Sequence, residues 1–209
     1  MQIARKLQNV VRALKQQWGS TSAKHRLWDD EYASGRWDHC EHSPESRVYS
    51  YIQKYSVNGS ILDLGCGFGN AGNELPADSY RQYTGVDISD VALARATARS
   101  QAEGRGEKNR FFQGDIIAWQ PDQKYDVILF RESIYYVPQI RIKATLDHYA
   151  SHLTPTGVLI VNVGPNGTTN ARYIFDLIKR NYHPIETYSA PDSDEFVAVF
   201  RANSSVQSE

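Results

Sequence analysis

The residues of this chain best placed to do chemistry are three acids and one glycine-rich turn. In Asp63-Leu64-Gly65-Cys66-Gly67-Phe68-Gly69-Asn70-Ala71-Gly72 four glycines fall within eight residues. Glycines there let backbone approach a ligand closely and adopt positive φ, and a following helix offers free N–H groups from its first turn. Gly67, Gly69 and Gly72 also satisfy the dinucleotide spacing G-x-G-x-x-G. A pyrophosphate over the turn would be repelled by Asp63, two residues before the first glycine, whereas a ligand bearing an ammonium and a sulfonium would be stabilised by it. The meaningful frame is then D-x-G-x-G-x-G, and Gly72 is an incidental match inside the next helix. Asp63 capping nearby loop N–H groups is compatible with that reading.

S-adenosylmethionine carries both cations. Asp87, 22 residues beyond Gly65 in "YTGVDIS", is suited to chelating two ribose hydroxyls, or else to capping the helix that starts near Ser89-Asp90. In "FFQGDIIAW" the Asp115 carboxylate could accept from an adenine amine and the Ile116 N–H donate to a ring nitrogen. After "YDVILF" come Arg131, Glu132, Ser133, Ile134, Tyr135 and Tyr136. Glu132 is the candidate general base or acceptor ligand, with Tyr135 and Tyr136 shaping the pocket beside it. The competing reading pairs Glu132 with Arg131 or a loop N–H and buries the tyrosines.

Each acid needs a strand to present it. Short apolar runs at 60–64, 83–87, 109–113, 125–130, 157–163, 184–188 and 195–200 alternate with helical or turn-rich stretches, which predicts an α/β fold with seven strands. "SILDL", "YDVILF" and "GVLIVNV" are nearly continuous in apolar residues, as central parallel strands should be. The last two runs lie too close for a crossover helix and should pair as an antiparallel edge hairpin. Ser43-Pro44-Glu45 reads as an N-cap with proline in the first turn of a helix of about 12 residues ending near Asn58-Gly59. Before it, "HRLWDDEYASGRWDHC" reads as a loop or short helix.

Residues 1–18 set Ile3, Leu7, Val10, Val11, Leu14 and Trp18 at helical spacing, and residues 1–28 carry six Lys or Arg with no Asp or Glu. Packing of this stripe on the protein's own core is the favoured expectation, and contact with a membrane surface the less favoured one. The chain divides into an N-terminal helix and lid segment (1–42), a ligand-binding domain (43–201) and a disordered tail (202–209). Net charge is -1, which argues against a nucleic-acid partner and for a small molecule. Two cysteines far apart, no apolar run of membrane length and no secretory leader predict a cytoplasmic protein. The six histidines show no ligand spacing.

"ILDLGCGFG", "YTGVDIS", "GDI", "YDVILFRESIYYV" and "LTPTGVLIV", in this order, resemble the class I S-adenosylmethionine-dependent methyltransferases over residues 43–200. The resemblance implies a Rossmann-like doubly wound sheet of order 3-2-1-4-5-7-6 with strand 7 antiparallel and helices on both faces. "FRESIYYV" and "YASGRWD" look most like small bacterial enzymes acting on metabolites, sugars or natural products. It implies methyl transfer to an O or N atom of a small molecule, with a nonenzymatic cofactor-binding module as the alternative. Cofactor contacts are expected from Tyr32, Trp37, Arg47, Asp63, Gly65, Cys66, Gly67, Asp87, Ile88, Asp115, Ile116 and Arg131, and catalysis from Glu132, Tyr135 and Tyr136. Some quinone-ring methyltransferases have E-x-x-E-H where this chain reads E-x-x-Y-Y, and that departure argues against a metal.

Overall fold

The computed structural model describes residues 2–43, 46–164 and 170–201. Seven strands, β1 (Ser60–Leu64), β2 (Gln82–Asp87), β3 (Asn109–Gln113), β4 (Tyr125–Arg131), β5 (Leu153–Val163), β6 (Glu186–Ser189) and β7 (Phe196–Phe200), form one sheet. Their order is β3-β2-β1-β4-β5-β7-β6. Neighbours from β3 to β5 run parallel, and β7 is antiparallel to both β5 and β6. The helices are α1 (Gln2–Trp18), α2 (Thr21–Ala33), α3 (Val48–Ser56), α4 (Asn70–Glu74), α5 (Asp90–Ala102), α6 (Gln139–Ala150) and α7 (Ala171–Asn181). Both the seven strands and their expected order are therefore observed.

Successive side chains on a strand point to opposite faces, and each face of this sheet has its own core. Leu62, Leu64, Ile128, Phe130, Leu159 and Val161 pack with Ile142, Leu146 and Tyr149 of α6 and Ile174 and Ile178 of α7. Ile61, Val127, Leu129, Val158 and Ile160 pack with Val48 and Ile52 of α3 and Ala71 of α4. The register Asp63↔Gly85 and Asp63↔Leu129 brings β1, β2 and β4 level, so their carboxyl ends open on one rim. Ligands of open parallel sheets sit at such a rim, where the strand order reverses.

Three local expectations are corrected. Helix α3 begins at Val48 and not at Ser43, because the Ser43 hydroxyl is taken up by Arg131 and Asn70 instead of capping a helix. Pro44 and Glu45 lie outside the described residues, as do the tail 202–209 and the side chain of Ile3. Of the two readings of the aromatic segment, the short helix holds for residues 25–33, which belong to α2, a helix of 13 residues capped by Ser20, whose hydroxyl accepts from the Ala23 N–H; a turn and a short 3-10 helix, Asp38–Cys40, follow.

The apolar stripe of α1 does not pack on the core. Leu7, Val10, Leu14 and Trp18 are all more than half exposed, at 63%, 55%, 55% and 57%. Gly72 is no incidental match either: a Cβ there would stand 2.6 Å from the Tyr83 ring. That ring cannot retreat, since Tyr83 is fully buried and its hydroxyl donates to Asp63 at 2.7 Å. The third glycine lets α4 close onto the strand that holds the acid in place.

Candidate active site

A cavity of about 570 Å³ opens at the rim. It is walled by the turn Gly65–Phe68 after β1, Asp87 and Ile88 after β2, Gly114–Ile117 after β3 and Arg131–Tyr136 after β4, and roofed by side chains of α1, α2 and the turn that follows. Of the fifteen residues expected from sequence, thirteen line it: Tyr32, Trp37, Gly65, Cys66, Gly67, Asp87, Ile88, Asp115, Ile116, Arg131, Glu132, Tyr135 and Tyr136.

The turn is fixed by backbone. Gly65 and Cys66 both donate to the Val86 carbonyl, and Gly67 donates to Asp87 Oδ2 at 2.8 Å. Gly65 adopts φ 77°, and a Cβ on it would lie 2.6 Å from Ser133 Cβ, so the turn also rests against the segment after β4. The other Asp87 oxygen accepts from Ser89 N–H at 2.9 Å. Burial pushes the Asp87 carboxyl up, opposed by the N–H groups of Ser89, Gly67 and Ile88. Each oxygen keeps lone-pair capacity toward the cavity. Ser89, rather than Asp87, caps α5 through its hydroxyl.

Asp63 sits behind the turn, not on the cavity wall. It is 2% exposed, and burial pushes its carboxyl up to about 6. One oxygen accepts from Tyr83, and the other has no partner. Arg47, expected to reach the ligand, is corrected: it does not line the cavity, and its guanidinium stacks on the Tyr188 ring at 4.1 Å.

After β4 the chain turns sharply. Glu132 is a non-glycine residue at φ 55°, a conformation that costs about 1–3 kcal/mol and marks functional turns. Its carboxylate accepts from the Tyr135 hydroxyl at 3.1 Å. Burial raises the Glu132 carboxyl, with that hydrogen bond and Arg131 opposing. Burial likewise raises the Tyr135 phenol, and it pushes Tyr136 up to about 12. Arg131 donates to Ser43 Oγ at 2.6 Å, while its Nε and the neighbouring Ser133 hydroxyl, both buried, have no partner.

The roof holds the residues that sequence reasoning missed. Lys24 is 7% exposed and donates to Asp115 Oδ2 at 2.9 Å, and the other Asp115 oxygen accepts from the Ile117 N–H. Trp28 packs edge-on against Tyr136, at 4.8 Å between ring centroids. Gln16 of α1, 6% exposed, also lines the cavity. Glu31, buried beneath the roof, pairs with Arg12 and accepts from the Trp37 indole at 3.0 Å. Lys24, Trp28, Glu31 and Tyr32 share one helical face, and that i, i+4, i+7, i+8 spacing is the signal that could have found them. His39 and His42 border the cavity. His183 is exposed and does not line it.

Sheet order, glycine turn and the acids at the ends of successive strands define the class I methyltransferase fold. Residues 61–157, just under half of the chain, match the family model described as "Methyltransferase domain". A trans-aconitate 2-methyltransferase from Escherichia coli O1:K1 / APEC is 34% identical over 110 residues, 51% of this chain and 39% of that protein. A ubiquinone biosynthesis O-methyltransferase from Nitrosospira multiformis is 26% identical over 180 residues, 80% of this chain and 71% of that one. The matched region spans only 21%, 32% and 39% of the first three curated relatives. Among solved structures, the N-methyltransferase NodS of Bradyrhizobium japonicum WM9, in complex with S-adenosyl-L-homocysteine, shares the fold at TM-score 0.64. It is 18% identical, and the match covers 85% of this chain and 97% of that one.

Proposed function

We propose that the protein transfers a methyl group from S-adenosylmethionine to an O or N atom of a small molecule. The observation that carries this reading is the continuity of one cavity from the glycine turn and Asp87 to the Glu132–Tyr135 pair. Cofactor and acceptor would share a single space walled by aromatic rings.

The donor set suits the cofactor. Arg131 Nε and Ser133 Oγ are buried polar atoms without partners, on residues that line the cavity, and are placed for an amino-acid carboxylate. The unpartnered Asp63 oxygen behind the turn favours the cationic end. Asp87 would hold ribose hydroxyls, and Asp115 with the Ile116 N–H would hold adenine. Gly65, Cys66, Gly67 and Ile88 supply the backbone wall, and Tyr32 and Trp37 the cover. When bound, the cofactor supplies an electrophilic methyl on a cationic sulfur.

The chain's own residues do the rest. Orienting the acceptor in a water-poor space accounts for roughly 7–11 kcal/mol of a barrier. Glu132, its carboxyl raised by burial, takes a proton from an acceptor hydroxyl or holds an acceptor amine. Tyr135 fixes the direction of that carboxylate, and Tyr136 shapes the pocket. On this reading residues 1–42 form the lid and 43–201 the catalytic domain. The two unpaired cysteines support a reducing, cytoplasmic setting.

Calorimetry with S-adenosylhomocysteine and a transfer assay over sugars, phenols, amines and carboxylic acids test the proposal. Asp87→Ala should abolish measurable cofactor binding. Glu132→Gln should keep binding while lowering transfer about 100-fold or more. Cofactor binding without transfer to any acceptor would recast the chain as a binding module.

A further inference from the structure

Helix α1 is amphipathic the wrong way round. A surface helix ordinarily buries its apolar stripe and shows its polar face to water. Here Leu7, Val10, Val11, Leu14 and Trp18, spaced as one stripe, are between 43% and 63% exposed. The inward face is polar: Gln16 is buried against the cavity, the Gln17 amide donates to the Tyr135 carbonyl at 3.4 Å, and Arg12 pairs with Glu31. The helix is thus docked through hydrogen bonds and an ion pair, which leaves its apolar side to meet something outside the fold.

We propose that this stripe seats the protein on an anionic membrane surface. Charge selects that occupant: residues 1–28 hold six Lys or Arg and no acid, and only Arg12 and Lys24 form ion pairs among the described residues. Lys15, beside the stripe, and Arg26 on α2 are exposed. An apolar stripe with lysine at its border and a tryptophan at its end is the pattern of a helix lying in the headgroup plane. The helix does not cross the bilayer, since no described helix is long and apolar enough. Docking brings the cavity, reached by Gln16 on the reverse face, within about one helix diameter, ~10 Å, of the lipid.

Flotation of the full chain with phosphatidylcholine vesicles, alone or mixed with phosphatidylglycerol, tests the proposal. Binding is expected to the mixed vesicles, falling as salt is raised. Leu14→Asp should lower vesicle partitioning about tenfold or more with the melting temperature unchanged, because the side chain is exposed; Lys15→Glu should lower it several-fold. Three results would overturn the proposal. One is no flotation with either vesicle; another is a Leu14→Asp variant that floats as the parent does. The third is a lipid-free dimer in sedimentation that Leu14→Asp dissolves, which assigns the stripe to a second copy.

Discussion

The floor and the roof of the cavity are built on opposite principles. The floor, from β1 through the glycine turn to α4, is fixed sterically: Gly65 and Gly72 each leave less than 3 Å between a would-be Cβ and a neighbour. The roof, α1 and α2, is tied down by polar contacts: the ion pairs Arg12–Glu31 and Lys24–Asp115, and the His25 ring, whose Nε2 lies 3.0 Å from Asp29 and 2.9 Å from Asp90. Close packing has one solution and resists change in conditions, whereas ion pairs respond to salt, pH and single charge deletions. The difference assigns permanence to the ligand cradle and adjustability to its cover.

The sharpest way to break this contrast is Gly65→Ala. The variant must fit a methyl against Ser133 at φ 77°, so a loss of about 2–4 kcal/mol in denaturant unfolding is expected, with cofactor binding lost. Wild-type behaviour would show that the floor gives. Next in size is the pH response of Asp63. Its folded carboxyl lies at about 6, above the ordinary 3.8, so between those values the native state holds the extra proton. Stability of the unliganded protein should therefore fall as pH rises from about 4 to about 6, by about 3 kcal/mol at 1.36 kcal/mol per unit. Asp63→Asn should remove that share of the slope, leaving the part of the same sign that Asp87 and Glu132, also raised by burial, contribute.

Lys24→Met probes the roof. It leaves Asp115 without its cation and should cost about 1–3 kcal/mol and loosen cofactor binding, while the Asp63 slope stays as it was. The smallest effect is expected at Arg95, which bridges Asp38 and Glu41 at the solvent-exposed edge. Arg95→Ala should shift stability by about 0.5 kcal/mol, and less in high salt. A larger loss there would mean that surface pairs carry the roof.

The same division governs what the sequence discloses. β1, β4 and β5 are legible because strands buried on both faces need unbroken apolar runs, and such runs fix where Asp63 and Glu132 emerge. The role of Gly72 is not legible, because the ring it makes room for, Tyr83, comes from another element, β2. Lys24 and Asp115 are 91 residues apart, and periodicity carries no information on which distant charges will meet. Arg47 misleads because the ring it stacks on, Tyr188 of β6, lies far along the chain, where periodicity around residue 47 carries no information. The stripe of α1 is plain in the sequence, but a stripe states only that something covers it.

Glu132 has a further neighbour. A Cβ added to Gly164, at the end of β5, would collide with the Glu132 carboxylate. The two positions directly follow adjacent strands and are 32 residues apart, yet each limits the other. Among descendants of this chain an acid at 132 should travel with glycine at 164, and a lineage that gains a side chain at 164 should have moved or surrendered the acid. Substitution at Gly164, a residue with no chemistry of its own, would then record where the acid at 132 was kept and where it was given up.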